Sequence, residues 1–296
     1  MNSLLRASCV ALLCLAAATG SAGPFDRTTV LVDEAETATA SLVPPKTVEQ
    51  YVRVASYNIA HARGNEEGKT KNEIARKENL DGIAALLKKH EIDIAGLTEI
   101  SKGDLRAKFR NQPKYIAEHA GNLHYAYGEN VSRLLGLLAT QGNAVVSRFP
   151  ILSSKNHVLY RTDPKHEQRS CLEAVLDLGN GRRLCVLVAH LSLLPEESTK
   201  QIEEIWKLAI DSKHPVVLMG DFNSRPGSAR IKWLASRMKD TTANVNTTFL
   251  NKPDVKIDYI FSYGSIRAGK AFVDGFEQGY SDHGCLINDL WIRYLR

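Results

Sequence analysis

Residues 216–223 read Val216-Val217-Leu218-Met219-Gly220-Asp221-Phe222-Asn223. Four apolar residues make a buried-type strand, and a Gly-Asp-Phe-Asn turn follows it. Asp221 and Asn223 stand two apart, so at a strand end their side chains point the same way. A carboxylate there can hold or activate water, and an amide can donate to an oxyanion. Taken alone, the segment is also consistent with a plain polar turn.

Reading outward, the same arrangement recurs. The run Val52 to Ile59 is β-branched and aromatic and carries Asn58 near its end. Ile92 to Leu97 ends in Thr98-Glu99, and Leu184 to Leu191 carries His190 in an apolar run. Lys256 to Ser262 holds Asp258 between β-branched and aromatic residues, and Ser281-Asp282-His283 precedes a last strand at Cys285 to Arg293. Further strands are predicted at Ala144 to Ser147, Ile151 to Tyr160, Cys171 to Leu178 and Ala268 to Val273. Singly, these polar residues have bland readings. Asn58 alone reads as a strand-end turn residue, and His190 alone as a satisfied core histidine. Glu99 and Asp258 are less easily dismissed, because a carboxylate on an apolar strand must be exposed, paired or coordinated.

Two helices are predicted between the strands. Thr70-Lys71-Asn72-Glu73 matches a capping box. The helix it opens would bury Ile74, Leu80, Ile83, Ala84 and Leu87. Pro195-Glu196-Glu197 opens the second helix, with a stripe of Ile202, Ile205, Trp206, Ala209 and Ile210. Strands in hairpin order mixed with strand–helix units predict an α/β (α+β) fold, in which two mixed β-sheets pack face to face and helices flank them. The polar residues then collect at strand ends, where open α/β sheets place ligands.

The first 22 residues stand apart. Arg6, the apolar run Val10 to Ala18 and the small residues Gly20-Ser21-Ala22 predict a secretory signal peptide cut after Ala22. The run is shorter than the roughly 20 residues needed to span a bilayer, which disfavours a membrane anchor. Ala11-Leu12-Leu13 before Cys14 lacks the small residues of a lipobox. Residues 23–50 read as a linker ending in Pro44-Pro45, and the domain as 51–296. The linker is acidic, with Asp26, Asp33, Glu34, Glu36 and Glu49 against Arg27 and Lys46. The net charge of +5 therefore understates how basic the domain is. A basic domain suits an anionic substrate, although charge also serves plain solubility. The mature chain would keep Cys171, Cys185 and Cys285. A turn at Asn180-Gly181 sets Cys171 opposite a residue near His190, so no disulfide is expected across that hairpin. With 44% hydrophobic residues the chain has enough apolar material for a core.

The order of these residues is more specific than any one of them. Asn58, Glu99, Asn143, Arg169, His190, Asp221 with Asn223, Asp258, and Asp282 with His283 resemble the motif series of the endonuclease/exonuclease/phosphatase superfamily, also called deoxyribonuclease-I-like. Gly142-Asn143-Ala144 and Thr248-Phe249 match as flanking segments. The resemblance runs from residue 52 to about 292. It implies a four-layer sandwich with a site at one rim and Mg²⁺ or Mn²⁺ as cofactor. Glu99 would bind the metal, with Asn58 and Asp282 beside it. Asp221 would orient or deprotonate water, Asn223 and His190 would contact phosphoryl oxygens, and His283 paired with Asp258 would stabilise developing charge. Asn143 and Arg169 would bind substrate. Thr98 stands where members commonly carry Gln, and no side chain to orient His190 is evident.

The chain resembles no specialised branch. Ser224-Arg225 follows Asn223 where inositol-phosphate 5-phosphatases have Tyr-Arg, and Ile59-Ala60-His61 follows Asn58 where abasic-site endonucleases have Gly-Leu-Arg. The expectation is an exported, monomeric, metal-dependent phosphodiesterase without stable membrane insertion. Nucleic acid is the first substrate expectation, with basic residues between His61 and Lys77 to meet a phosphate backbone. The alternatives are a lipid head group or sugar phosphate, and an inactive binding module. The apolar stretch Leu134 to Leu138 is expected in the core, with lipid contact as its other reading.

Overall fold

The computed structural model describes residues 47–65, 74–121, 124–133, 137–250, 252 and 254–295. The signal peptide, nearly all of the linker, and the capping box at residues 70–73 lie outside these residues. One seven-stranded sheet contains β1 (Thr47–Asn58), β2 (Ile94–Ile100), β3 (His124–Arg133), β4 (Ala139–Ser147), β11 (Ile266–Ala268), β12 (Phe272–Asp274) and β13 (Cys285–Leu295). Its order is β11-β13-β1-β2-β4-β3, with β12 also on β13. A six-stranded sheet contains β5 (Ile151–Val158), β6 (Ser170–Asp177), β7 (Arg183–His190), β8 (Val216–Asp221), β9 (Lys239–Asp240) and β10 (Asp258–Tyr263), in the order β5-β6-β7-β8-β10-β9. Each sheet holds one parallel pair, β1 with β2 and β7 with β8, and is otherwise antiparallel.

The central strands are apolar on both faces because both faces are covered. Val54, Ile94 and Val145 of the first sheet pack on Val186, Val188, Met219 and Ile260 of the second. At Gly96 the approach is so close that an added Cβ would lie 2.9 Å from Val188. The outer face of the first sheet is covered by α1 (Lys77–Lys89) and α2 (Gln112–Ala120), through Leu80, Ile83, Leu87 and Ile116. The outer face of the second is covered by α3 (Pro195–Asp211) and α4 (Ala229–Ala235), through Ile202, Ile205, Ala209 and Leu234. The result is the four-layer sandwich expected of the sequence.

The differences are local. β1 begins at Thr47, so residues 47–50 of the expected linker pair with β13 up to Leu295. α1 starts at Lys77, and Ile74 lies before it, exposed. Ile210 ends its stripe exposed on α3. The strand expected at Ala268 to Val273 is split into β11 and β12, both on β13. Of the stretch Leu134 to Leu138, expected in the core, residues 134–136 lie outside the described residues, and Leu137 and Leu138 are 59% and 49% exposed. In the β6–β7 hairpin Cys171 faces Ala189, and all three cysteines are free and buried.

Candidate active site

Strand register decides which polar residues meet. Asn58 pairs with Thr98 across β1 and β2, leaving Glu99 one residue further along. On the second sheet His190 pairs with Asp221, and Asp221 with Asp258. One amide then ties the sheets together. Asn58 Nδ2 donates to Glu99 Oε1 at 3.0 Å and to Asp221 Oδ2 at 3.1 Å, while its Oδ1 accepts from the Ala60 N–H. Asn58, expected beside the metal, braces the two carboxylates.

The backbone is unusual at these strand ends. Glu99 lies where the β2–β4 register shifts, with φ 49°. A bulge with a left-handed non-glycine residue re-aims a side chain, and such strain collects at functional sites. At Gly220, φ is +145° and an added Cβ would lie 1.8 Å from the Ala189 carbonyl oxygen. Only glycine lets β8 turn there and deliver Asp221.

Asp221 is the hub. Its Oδ1 accepts from Asn223 N at 2.8 Å, and its Oδ2 lies 3.5 Å from His190 Nε2 and 3.7 Å from His283 Nε2. Burial pushes its carboxyl up, the Asp258 charge adds to this, and His283 opposes it, for a result of about 7. A carboxylate poised near neutral pH suits a general base. Asp258 is fully buried and pairs with His283 Nδ1 at 2.8 Å. Burial pushes that imidazole down, but Asp258, with Asp221 and Asp282, more than reverses it and holds it at about 10. The expected dyad is formed, and the edge of the Phe249 ring packs on it at 5.0 Å.

Two expected residues sit differently in the site, and a third joins it unforeseen. Asn223 Nδ2 donates to the Leu191 carbonyl at 2.9 Å and faces His190 Nε2 at 3.1 Å. One amide proton goes to the Leu191 carbonyl, and the contact at His190 Nε2 sets Asn223 against that imidazole, so Asn223 orients His190. This supplies the orienting side chain that could not be picked out of the sequence. Asn143 is fully buried and donates to the Ser170 carbonyl at 3.0 Å. It links β4 to β6 and makes no wall of the cleft; its neighbour across that link, Arg169, does. His61 was not foreseen at all. Its Nε2 lies 3.7 Å from Glu99 Oε2, and burial, then the charges of Arg106 and Arg63, hold it well below the usual histidine range. Ala60, His61 and Ala62 all have positive φ, which residue types do not reveal.

The cleft has two halves that share Glu99, Arg169 and His190. The reaction half, ≈ 430 Å³, adds Asp221, Asn223, Asp282 and His283. The other, ≈ 560 Å³, is walled by Arg63, Arg106, Arg161, Lys165 and Gln141, with Val131 and Ala139 as its apolar residues. His190 lines both. Burial, then the Arg169 charge, hold it well below its ordinary pKa, so it is neutral. Glu99 and Asp282 are 22% exposed at this cleft, and Arg63 lies 3.5 Å from Asp282. Two accessible carboxylates on one cleft match the oxygen-only, partly hydrated preference of Mg²⁺. Asp221, Asp258 and His283 also offer ligand atoms within 4.8 Å of one another. There, however, Asp258 and a charged His283 are committed to each other.

The sequence profile of the Endonuclease/Exonuclease/phosphatase family matches residues 55–283. The chain belongs to that family, whose members are phosphoester hydrolases. Among solved structures it is similar to an endonuclease/exonuclease/phosphatase from Beutenbergia cavernae, at 22% identity and TM-score 0.66 over 82% of this chain and 72% of that one. A mannosyl-6-phosphatase from Bacteroides thetaiotaomicron is similar at 20% identity and TM-score 0.62, over 81% and 99%. The human Nocturnin catalytic domain with bound sulfate is similar at 19% identity and TM-score 0.61, over 83% and 96%. Among curated sequences, the protein cwh43 of Schizosaccharomyces pombe is 27% identical over 139 residues, 46% of this chain and 13% of that protein.

Proposed function

We propose that the chain is an exported, Mg²⁺-dependent phosphodiesterase acting on a compact, polar head group. The observation that carries the reaction is Asp221, buried between Asn58, His190 and His283 at the inner wall of a cleft that also presents Glu99 and Asp282. Glu99 and Asp282 would hold the metal, with Asn58 fixing Glu99. Bound there, the ion would neutralise charge on the phosphoryl group. Asp221 takes the proton of the attacking water as its oxygen bonds to phosphorus and the ester oxygen leaves. His283, kept charged by Asp258, faces the charge that develops. Arg169 binds the anionic substrate from the shared wall, and neutral His190 is held against it by Asn223.

The head-group reading rests on the second half of the cleft. Its cations and amides suit hydroxyls and phosphate, and among the described residues it is lined by no Phe, Tyr or Trp on which a base would stack. Nucleic acid is the second reading, supported by the basic charge of the domain. Export rests on the N-terminal pattern. No helix of the described residues is long and apolar enough to cross a membrane. The test is turnover of bis-p-nitrophenyl phosphate and of plasmid DNA with Mg²⁺ and with EDTA, beside Asp221→Ala. Metal-dependent hydrolysis of the small diester, absent from the variant, is expected. Nicked plasmid at comparable efficiency would favour nucleic acid. A folded protein inactive on every diester and monoester would remove the reading.

A further inference from the structure

We propose that the rim of the cleft docks on an anionic lipid surface, so that the phosphoester it receives is borne on that surface. The substrate part rests on the phosphoesterase reading; the docking does not. Leu105, Phe109, Leu137 and Leu138 are 53%, 65%, 59% and 49% exposed. The Leu105 N–H donates to the Leu137 carbonyl at 2.9 Å, which joins the two segments into one patch. The display is built. Lys108 and Phe109 have φ 51° and 56°, and the Phe109 N–H closes the turn on the Asp104 carbonyl. Asp104 is itself fully buried and accepts from Ala107 N and Thr140 Oγ1, which clamps the turn to β4. A turn held this firmly keeps a phenylalanine in water that it has no local reason to expose.

The patch adjoins the cleft, because Arg106, Ala139 and Thr140 line its cation-rich half. A second apolar point, Leu193 at 70% exposure with Leu194 at 42%, adjoins the reaction half. Charge selects the occupant. Phe109 stands between Lys108 and Arg110, Lys102 and Arg106 lie on the same segment, and its one acid, Asp104, is buried in hydrogen bonds. An apolar tip flanked by cations fits the acyl boundary and the phosphates of an anionic bilayer together. Nucleic acid would use the cations and gain nothing from exposed leucines. The polar cavity that the patch adjoins then receives the head group.

The experiment is flotation of the full chain with vesicles of phosphatidylglycerol and phosphatidylcholine, with EDTA so that turnover plays no part, beside a Phe109→Asp/Leu137→Asp double variant. Removing the apolar anchors is expected to weaken binding about tenfold or more. Hydrolysis of bis-p-nitrophenyl phosphate should be unchanged. As an independent measurement, Phe109→Trp should show a blue-shifted emission on vesicles and quenching by brominated lipid. Equal flotation of both proteins, no flotation of either, or a tryptophan that remains in water would overturn docking. An equal loss of affinity for duplex DNA in the double variant would reassign the surface to nucleic acid. Failure of the diester assay with docking intact would count against the phosphoesterase reading alone.

Discussion

Glu197 allows a prediction whose size follows from the structure. Its buried carboxylate accepts from Thr162 N and Thr162 Oγ1 at 2.7 Å each, pairs with His166 Nδ1 at 2.7 Å, and accepts from Ser192 Oγ at 2.6 Å. One side chain on α3 thus holds the segment 159–168 that walls the cation-rich half of the cleft. Burial would push its carboxyl up, but the hydrogen bonds from Ser192, Thr162 and His166 outweigh it and hold it at about 2, against an ordinary 4.5. A depressed carboxyl contributes stability that is fully present above pH 4.5 and is lost as pH falls toward 2. The full contribution is about 3 kcal/mol at most, and about 2 kcal/mol of it is lost by pH 3. Screening of the 40%-exposed His166 side chain trims both values. Glu197→Gln should therefore lower stability at pH 7 by about 2 kcal/mol and narrow the gap between the two proteins at pH 3. Urea unfolding at the two pH values measures this. The substitution should also raise KM for a head-group substrate more than it lowers kcat. An unchanged difference between the proteins from pH 7 to pH 3 would refute the reasoning.

Asp258→Asn should cut kcat by about two to three orders of magnitude while the fold stays cooperative, because His283 loses the carboxylate that keeps it charged; steady-state kinetics beside a thermal melt will show it. Glu99→Ala should abolish Mg²⁺-stimulated turnover and remove the rise in Tm on adding Mg²⁺, and a variant that keeps both would take the metal away from Glu99. Gly220→Ala should destabilise the protein by about 2–4 kcal/mol, since its Cβ would meet the Ala189 carbonyl; equilibrium denaturation is the check. The Cys171, Cys185 and Cys285 thiols, all pushed up by burial and Cys185 to about 12, should resist a thiol reagent at pH 8 until the chain is unfolded.

Most strands were legible because each is an apolar run closed by a polar residue, and that pattern survives without tertiary information. β3 was missed because Tyr125, Gly128 and Asn130 interrupt its alternation, although pairing with β4 on either side of a register shift at Asn130 makes it a strand. α2 was missed because Gln112-Pro113-Lys114 opens it with little apolar content; the Asn111 cap and the left-handed Gly121 define it. Among site residues, the carboxylates and the Asp258–His283 pair stood out, since an acid in an apolar strand demands a partner. The work of the amides did not. Nothing in residue type says that Asn58 spans two sheets, that Asn223 donates to Leu191 and faces His190, or that Asn143 lies behind the cleft wall.

The sequence by itself determined the chemical inventory, its order along the chain and the succession of apolar strands and amphipathic helices that makes a two-sheet sandwich. Those follow from side-chain hydrophobicity and from the cost of burying charge, which act locally. Only the tertiary structure decided which atoms meet. Strand register set Asp221 between His190 and Asp258, the positive-φ turn at residues 60–62 and the bulge at Glu99 brought His61 to the cleft, and a clamped turn left Phe109 in solvent. Those outcomes depend on the relative placement of strands far apart in the chain, and no local pattern encodes it.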